Sequence, residues 1–343
     1  MSTLGEIARL AGVSTATVSN VVRGKGSVGA GTAERVRAVA RQLGYRPNLV
    51  ARALAEGRAP TIALFFTDIL NPYYPQFAHA AEQAARRRGH FLLVCNAAAQ
   101  GGVLDTAYIR AVAGRLAGGL ILLGSDTGGA DLLAMLPDDV PTVFSTWENA
   151  SDYPTTPCVN VDFVRAGELA AEHLLSLGHC RIGLLVGGRN GVVYQTARLA
   201  GASRVLRDAG SWPHPDRLAV SEDSIAGGRK AACLLLRAAP ELTAILATND
   251  LLAIGALQAA SELGVPVPTN LSVIGITDIW MAAQMRPALT TIDIGPATLA
   301  SGAVDLLLDL IHDPAAVPPD RLRVMTTPRL IRRDSTAPPR PQT

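Results

Sequence analysis

The 343-residue chain carries 31 Lys and Arg against 29 Asp and Glu, a formal net charge of +2, and 48% of its residues are hydrophobic. No apolar run reaches the roughly 20 residues that span a bilayer, and the amino terminus holds Glu6 and Arg9 instead of a continuous apolar signal, so a cytoplasmic protein is expected. Cys95, Cys158, Cys180 and Cys233 are scattered without C-x-x-C spacing, and His173 and His179 lack a ligand pattern; reduced packing cysteines, structural histidines and no metal site follow.

The first predicted element is a helix. Thr3-Leu-Gly-Glu6 is a capping-box pattern ahead of the apolar set Ile7, Leu10 and Ala11. Gly12-Val13 makes a break, and Ser14 offers a cap for a second helix from Thr15 to about Arg23, whose Val18, Val21 and Val22 recur at i, i+3 and i+4 and face inward. The opposite side presents Thr15, Ala16 and Asn20, short side chains where the recognition helix of a helix-turn-helix meets base edges. A third helix is predicted from about Ala30 or Thr32 to Leu43, with Val36, Val39, Ala40 and Leu43 buried and Gly44 ending it. Pro47 forbids its continuation, and Asn48 can cap a further two-turn helix, Leu49 to Glu56, that should form only against a partner helix or DNA. Up to residue 59, nine basic residues face three acidic ones, a balance of +6; the remaining 22 basic and 26 acidic residues give −4. A basic head on a near-neutral chain is the charge distribution expected of phosphate contact.

Beyond the head the chain alternates short apolar runs with amphipathic stretches. Thr61–Phe66, Phe91–Val94, Gly119–Leu123 and Thr142–Phe144 read as buried parallel strands, followed by a second series at Ile182–Val186, Leu218–Val220, Ala244–Ala247 and Leu271–Ile276. Helices are predicted near 164–177, 192–209 and 250–263. The alternation implies an α/β protein with two doubly wound lobes, preceded by the small all-α head. The tail from Arg332, rich in Pro and polar residues, is expected to be disordered. The domain limits are then 1–47 for the head, 48–58 for the hinge, 59–330 for the two lobes and 331–343 for the tail.

The string Ile7-Ala-Arg-Leu-Ala-Gly-Val-Ser14-Thr-Ala-Thr-Val-Ser19-Asn-Val-Val22, together with Gly44-Tyr-Arg-Pro-Asn48-Leu-Val-Ala-Arg-Ala-Leu54, resembles the LacI/GalR bacterial transcription regulators. The resemblance covers almost the whole chain. It implies a helix-turn-helix DNA-binding domain followed by a periplasmic-binding-protein-like (type I) effector domain, and a repressor, not an enzyme, whose operator affinity is set by a small-molecule effector. On that resemblance Thr15, Ala16, Thr17 and Asn20 read the major groove of a double-stranded, pseudo-palindromic operator, while Asn48 and Leu54 belong to a hinge whose leucine wedges into the minor groove. Gly29 stands where the family usually has Ser, and Gly still caps. Tetrameric members use a carboxy-terminal leucine heptad, which this chain lacks, so a homodimer is expected. The two lobes would exchange the chain three times, near Val159–Val161, Thr290–Ile292 and Arg321–Arg323.

The effector cleft is placed at the carboxyl ends of strands. Tyr73 and Tyr74, in Asn71-Pro-Tyr-Tyr74, resemble the family's aromatic wall, though they also suit packing under a loop. Arg198, in Ala197-Arg-Leu-Ala-Gly201, matches an arginine that forks onto ligand oxygens. Asn249, in Thr248-Asn-Asp250, matches a ligand-contacting turn and equally a helix cap. Two departures matter. Sugar-responsive members often carry an Asp after the fourth strand, where this chain has Thr146 and then Trp147, and Gly275-Ile-Thr277-Asp278 replaces the common Gly-Tyr/Phe-Asp-Asp. Counting these four as effector contacts, the cleft is less acidic, and the effector is a sugar, a sugar derivative or a small organic acid. No cofactor is implied. Effector binding would close the cleft and change the separation of the paired hinge helices, and either direction of coupling fits the sequence. A rival reading, an NAD-dependent enzyme, rests on Gly187-Gly-Arg-Asn-Gly191, which is not G-x-G-x-x-G. An exported solute-binding protein would share the two lobes but needs neither the head nor a chain without a signal.

Overall fold

The structure, a computed structural model, describes residues 3–23, 28–45, 61–98, 104–113, 115–124, 132, 134–137, 139–148, 155–189, 192–212 and 215–340. The chain divides into two units, Met1–Pro60 and Thr61–Thr343.

Among the described residues the first unit holds three helices, α1 (Leu4–Ala11), α2 (Thr15–Arg23) and α3 (Ala30–Gln42). Both arms of the capping box form: Glu6 N–H donates to Thr3 Oγ1 at 3.3 Å and Thr3 N–H to Glu6 Oε2 at 2.9 Å. Gly12 ends α1 at φ 65°, a left-handed conformation that favours glycine. Ser14 Oγ accepts the N–H of Thr17 at 3.1 Å and so starts α2. Ile7, Val18 and Val36, one from each helix, are fully buried at the centre, and Val22, Val39, Ala40 and Leu43 pack against them. Leu10 departs from the expectation. It is exposed, because the buried stripe of α1 runs through Leu4, Ile7, Ala8 and Ala11 and leaves Leu10 on the flank. The expected hinge helix, with Asn48 and Leu54, lies outside the described residues.

The second unit is built on two sheets. In the first, strands β1 (Thr61–Phe66), β2 (Phe91–Asn96), β3 (Leu120–Leu123), β4 (Thr142–Ser145), β5 (Cys158–Val161) and β12 (Arg323–Thr326) run parallel in the order β12-β5-β4-β3-β1-β2. In the second, β6 (Ile182–Arg189), β8 (Leu218–Ser221), β9 (Ala244–Ala247), β10 (Ser272–Thr277) and β11 (Thr290–Asp293) are parallel, while β7 (Val192–Val193) and β13 (Arg329–Ile331) are antiparallel additions. Central strands buried on both faces explain the continuous apolar runs, as in Leu120–Leu123 and Ala244–Ala247. Helices α4 (Tyr73–Arg87) and α10 (Pro296–His312) pack together on the first sheet. α5 (Thr106–Val112) belongs to lobe 1 as well. Lobe 2 pairs α6 (Phe163–Ser176) with α7 (Thr196–Asp208) and α8 (Ile225–Ala238) with α9 (Asp250–Glu262). Among the described residues no helix is long and apolar enough to cross a membrane.

The chain passes between lobes three times: after β5, between β11 and α10, and between β12 and β13. The third passage falls at residues 327–328, just beyond the Arg321–Arg323 stretch expected from sequence, because those residues lead into β12 itself. Helices α6 and α7 touch backbone to backbone. A Cβ on Gly167 would stand 1.9 Å from Arg198 O, and one on Gly201 2.0 Å from Val164 O. Only glycine allows that approach, and it fixes where α7 presents its side chains.

The tail corrects the sequence reading. Residues 332–340 do not trail away: Ser335 is fully buried, its Oγ accepting from Thr290 N–H at 2.8 Å and donating to Val273 O at 2.6 Å, while Val273 N–H donates to Ser335 O. Thr336 and Ala337 meet the two histidines: His173 Nε2 lies 2.9 Å from Thr336 Oγ1, and His179 Nε2 lies 2.9 Å from Ala337 O. Polar composition suggested disorder, but here the polar groups close backbone and side-chain hydrogen bonds at the amino-terminal ends of β10 and β11.

Two outcomes are expected. Gly201→Ala should lower unfolding free energy by at least about 1–3 kcal/mol in urea denaturation, since the helices must separate to admit the methyl. Burial pushes the His173 pKa down to about 4, so the unfolded chain binds a proton below pH 6.5 that the folded one refuses. Stability conferred by this docking should therefore fall as pH drops from 6.5 towards 4. In His173→Gln that component should vanish, read as the difference in Tm between the two proteins across the window.

Candidate functional site

Two surfaces bear on function, one in each unit. In the first, Thr15, Ala16 and Asn20 are exposed together on α2. Thr17 is half-buried and its hydroxyl lies 2.9 Å from Ser14 Oγ, so it belongs to the turn that starts the helix. Arg35 Nε donates to Ala11 O at 3.0 Å and ties α3 to the end of α1, which holds the angle at which α2 is displayed.

The second surface is a narrow cleft between the lobes, at the carboxyl ends of both sheets, with about 500 Å³ of empty space that includes part of the open solvent at its mouth. Lobe 1 contributes Asn71, Tyr73 and Tyr74 after β1, Gly124 after β3 and Thr146 after β4. Lobe 2 contributes Gln195 and Arg198 at the start of α7, Asp223 after β8, Asn249 after β9 and Thr277 at the end of β10. Of the residues expected from sequence, Tyr73, Tyr74, Thr146, Arg198, Asn249 and Thr277 are thus brought together. Trp147 is not among them. It is buried in lobe 1, its ring stacked 4.6 Å from that of Phe144, and Asn160 clamps its backbone through Trp147 N–H to Oδ1 at 3.1 Å and Nδ2 to Trp147 O at 2.6 Å. Asp278 also turns aside, pairing with Arg333 of the tail at 2.7 Å.

Arg198 is the best-held group. Its Nε donates to Glu148 Oε1 at 2.7 Å and its Nη1 to Thr248 O at 2.8 Å, and its guanidinium carbon sits 4.4 Å above the Phe163 ring. Glu148 comes from lobe 1, two residues past Thr146, so this buried pair bridges the cleft. Burial pushes the Glu148 carboxyl above its ordinary range against the opposing pull of Arg198. Gln195 donates to Asp223 Oδ2 at 2.8 Å and also meets the Thr248 hydroxyl, which accepts from Gly187 N–H at 2.9 Å. Sequence reading missed Glu148, Gln195 and Asp223. Asp223 directly follows β8, a strand whose carboxyl end the same placement rule covers; Gln195 precedes Arg198 by three residues; no local pattern marks Glu148. With Glu148 and Asp223 present, the expected shortage of acid does not hold.

Three non-glycine residues with left-handed backbone occur among the described residues: Thr146 at φ 54°, Thr277 at φ 136° and Asp278 at φ 53°. They sit at the two strand ends that face each other across the cleft, and each such conformation costs about 1–3 kcal/mol. Asn160 holds the first through Trp147. Buried Asp250 holds the other two, its Oδ2 accepting from Ile279 N–H at 2.8 Å and its Oδ1 from the Thr291 hydroxyl at 2.5 Å. Burial pushes the Asp250 pKa up to about 6. Asn249 caps α9 through Oδ1, 2.9 Å from Leu252 N, and leaves its buried Nδ2 without a partner. The Tyr73 and Thr146 hydroxyls are likewise buried without a well-formed hydrogen bond. Capping therefore uses only Oδ1 of Asn249 and leaves the two Nδ2 donors available to a ligand.

The glycine run at 187–191 has another explanation than phosphate binding. Residues 187–189 belong to β6, which pairs antiparallel with β7, Gly188 opposite Val193, while Asn190 and Gly191 lie outside the described residues. At Gly187 a Cβ would stand 2.2 Å from Asp223 Oδ1, so this glycine makes room for the cleft's polar cluster.

A three-helix head carrying an exposed reading face, with a two-lobed sheet protein that encloses a polar cleft, defines a ligand-responsive DNA-binding protein. The family described as bacterial regulatory proteins, lacI family, matches residues 3–48, and a periplasmic binding protein-like domain matches residues 171–336. The HTH-type transcriptional repressor PurR of Aliivibrio salmonicida is 31% identical over 317 residues, covering 91% of this chain and 93% of that protein. The crystal structure of the Lac repressor dimer bound to operator and the anti-inducer ONPF superposes with a TM-score of 0.85 at 28% identity, covering 98% of this chain and 99% of that one. A transcriptional regulator CelR–cellobiose complex gives 0.71 at 26% identity, covering 98% and 100%. The chain belongs to the lacI family of bacterial regulatory proteins. It is an allosteric DNA-binding transcription regulator and not an enzyme.

One consequence of the strained cleft can be measured directly. Thr146→Gly should raise the unfolding free energy by about 1 kcal/mol, because glycine accepts φ 54° without strain. The same change should weaken ligand binding by removing the buried hydroxyl; a drop in Tm would show that the side chain, not the backbone, sets the balance.

Proposed function

We propose that the protein is a cytoplasmic repressor that binds a pseudo-palindromic operator as a homodimer and is released or tightened by a small hydroxylated effector in the cleft between its lobes. The observation that carries this reading is the convergence of Tyr73, Tyr74, Thr146, Arg198, Asn249 and Thr277 at facing strand ends in a chain of this family. Thr15 and Asn20 supply hydrogen-bonding groups for base edges, and Ala16 supplies a methyl that suits a thymine. Thr17 acts by fixing the turn. Asn48 and Leu54 act in the hinge, the leucine wedging into the minor groove, where unstacking costs a few kcal/mol and is offset by contacts of the paired hinge helices. The CelR relative holds cellobiose, and the Lac repressor dimer holds operator and ONPF; both ligand classes suit this chain. A sugar or sugar derivative fits the hydroxyl and amide groups of the cleft better than an organic acid, because Glu148 already pairs with the Arg198 guanidinium and Asp223 adds a second carboxylate beside Gln195. Closing the cleft around the effector changes the spacing of the hinge helices, with a coupling of about 1–3 kcal/mol.

The test is a titration of the protein against its own upstream DNA at two salt concentrations, with and without cellobiose and related sugars. Binding should be tight, confined to one pseudo-palindrome, and steeply salt-dependent, each neutralised phosphate adding about 0.9 to the slope. Asn20→Ala should relax preference at one base position by about 1–3 kcal/mol, and Leu54→Ala should weaken binding throughout. Sequence-blind binding indifferent to both changes would overturn the proposal.

A further inference from the structure

We propose that Glu148 is a built-in anion, a lobe 1 carboxylate that fills the anion-binding corner of lobe 2 and thereby bars effectors bearing a carboxylate or phosphate. The inference rests on the reading of this cleft as the effector site. The corner has two parts. One is the Arg198 guanidinium, oriented by Thr248 O and by the Phe163 ring. The other is the amino-terminal end of the 13-residue α7, whose own N-cap, Gln195, makes no capping hydrogen bond because its side chain serves Asp223 and Thr248. A guanidinium beside the amino-terminal N–H groups of a helix is the arrangement that binds carboxylates and phosphates.

Glu148 occupies it. Its Oε1 takes the Arg198 Nε–H at 2.7 Å with both side chains buried, and the backbone N–H groups of Ala197 and Arg198 further favour its charged form. The carboxylate cannot easily swing away. The residue before it, Trp147, is stacked on Phe144 and gripped at both backbone groups by Asn160. Arg198 is equally fixed, since α7 is locked against α6 at Gly167 and Gly201. An incoming anion would have to displace Glu148 and leave a buried carboxylate, one of whose oxygens already has no partner, facing a like charge. A neutral hydroxylated ligand meets no such penalty. Glu148 therefore positions Arg198 and sets the charge that the cleft tolerates.

The experiment is calorimetric titration of the full chain with inorganic phosphate and with citrate, at ionic strength held constant with chloride, for the wild type, Glu148→Gln and Glu148→Ala. The wild type should bind neither anion. Both variants should gain binding at least about tenfold tighter than any wild-type signal, and adding Arg198→Met should abolish the gain. Glu148→Gln preserves size and hydrogen bonding, so it reports even where Glu148→Ala unfolds, and Glu148→Asp, which keeps the charge, should still exclude both anions. Phosphate binding by the wild type, no gain in folded Glu148→Gln, or a gain indifferent to Arg198 would each overturn the proposal. The cleft's role as effector site is read separately, by whether Asn249→Ala removes the response of operator binding to a neutral sugar.

Discussion

Parallel strands all point their carboxyl ends the same way, and the chain here crosses three times between two such sheets. That constraint organises the rest. Because β5, β11 and β12 each hand the chain to the other lobe, the strand ends of both sheets open on one shared cleft, and the loops that follow them must line it. The lobes are joined by short connections, two running from a strand into a helix and one from strand to strand. A ligand seated at the strand ends touches both lobes at once. That geometry lets a small molecule alter the arrangement of a much larger one.

Several costly features come together at the cleft. Strained backbone, buried hydroxyls and an amide without partners, and a charged pair removed from water all meet at the ends of β4, β9 and β10. Each would be costly alone. They persist because rigid supports surround them: the Asn160 clamp on one side, the Asp250 carboxylate on the other, and a glycine-lined helix crossing beneath Arg198. The carboxy-terminal tail belongs to this support, since Arg333 reaches Asp278 while Ser335 joins β10 to β11.

Much of this was legible in the sequence. The capping box at Thr3 and Glu6, the inward valines of α2 and the apolar runs of the two sheets follow from local rules of period and capping, and the structure reproduces them with small shifts of boundary. The aromatic pair Tyr73 and Tyr74, Arg198 and Asn249 stand out in the sequence through their resemblance to family motifs near strand ends, and all line the cleft. Others were not legible for definite reasons. Trp147 looked like a cleft residue from its neighbour Thr146, but an irregular turn at φ 54° sends the indole into the core of lobe 1. Leu10 matched the helical period yet lies outside the buried stripe.

The sequence by itself determined the class of protein: a basic helical head, two wound lobes, and a cleft at strand ends, all set by periodicity, capping and charge, which act over a few neighbouring residues. Only the tertiary structure decided the electrostatics of that cleft and the fate of the tail. Glu148 and Arg198 are fifty positions apart and meet across two lobes, and Ser335 finds its partners at Thr290 and Val273. Such pairings depend on where distant segments are brought by packing, and no local pattern in the chain encodes them.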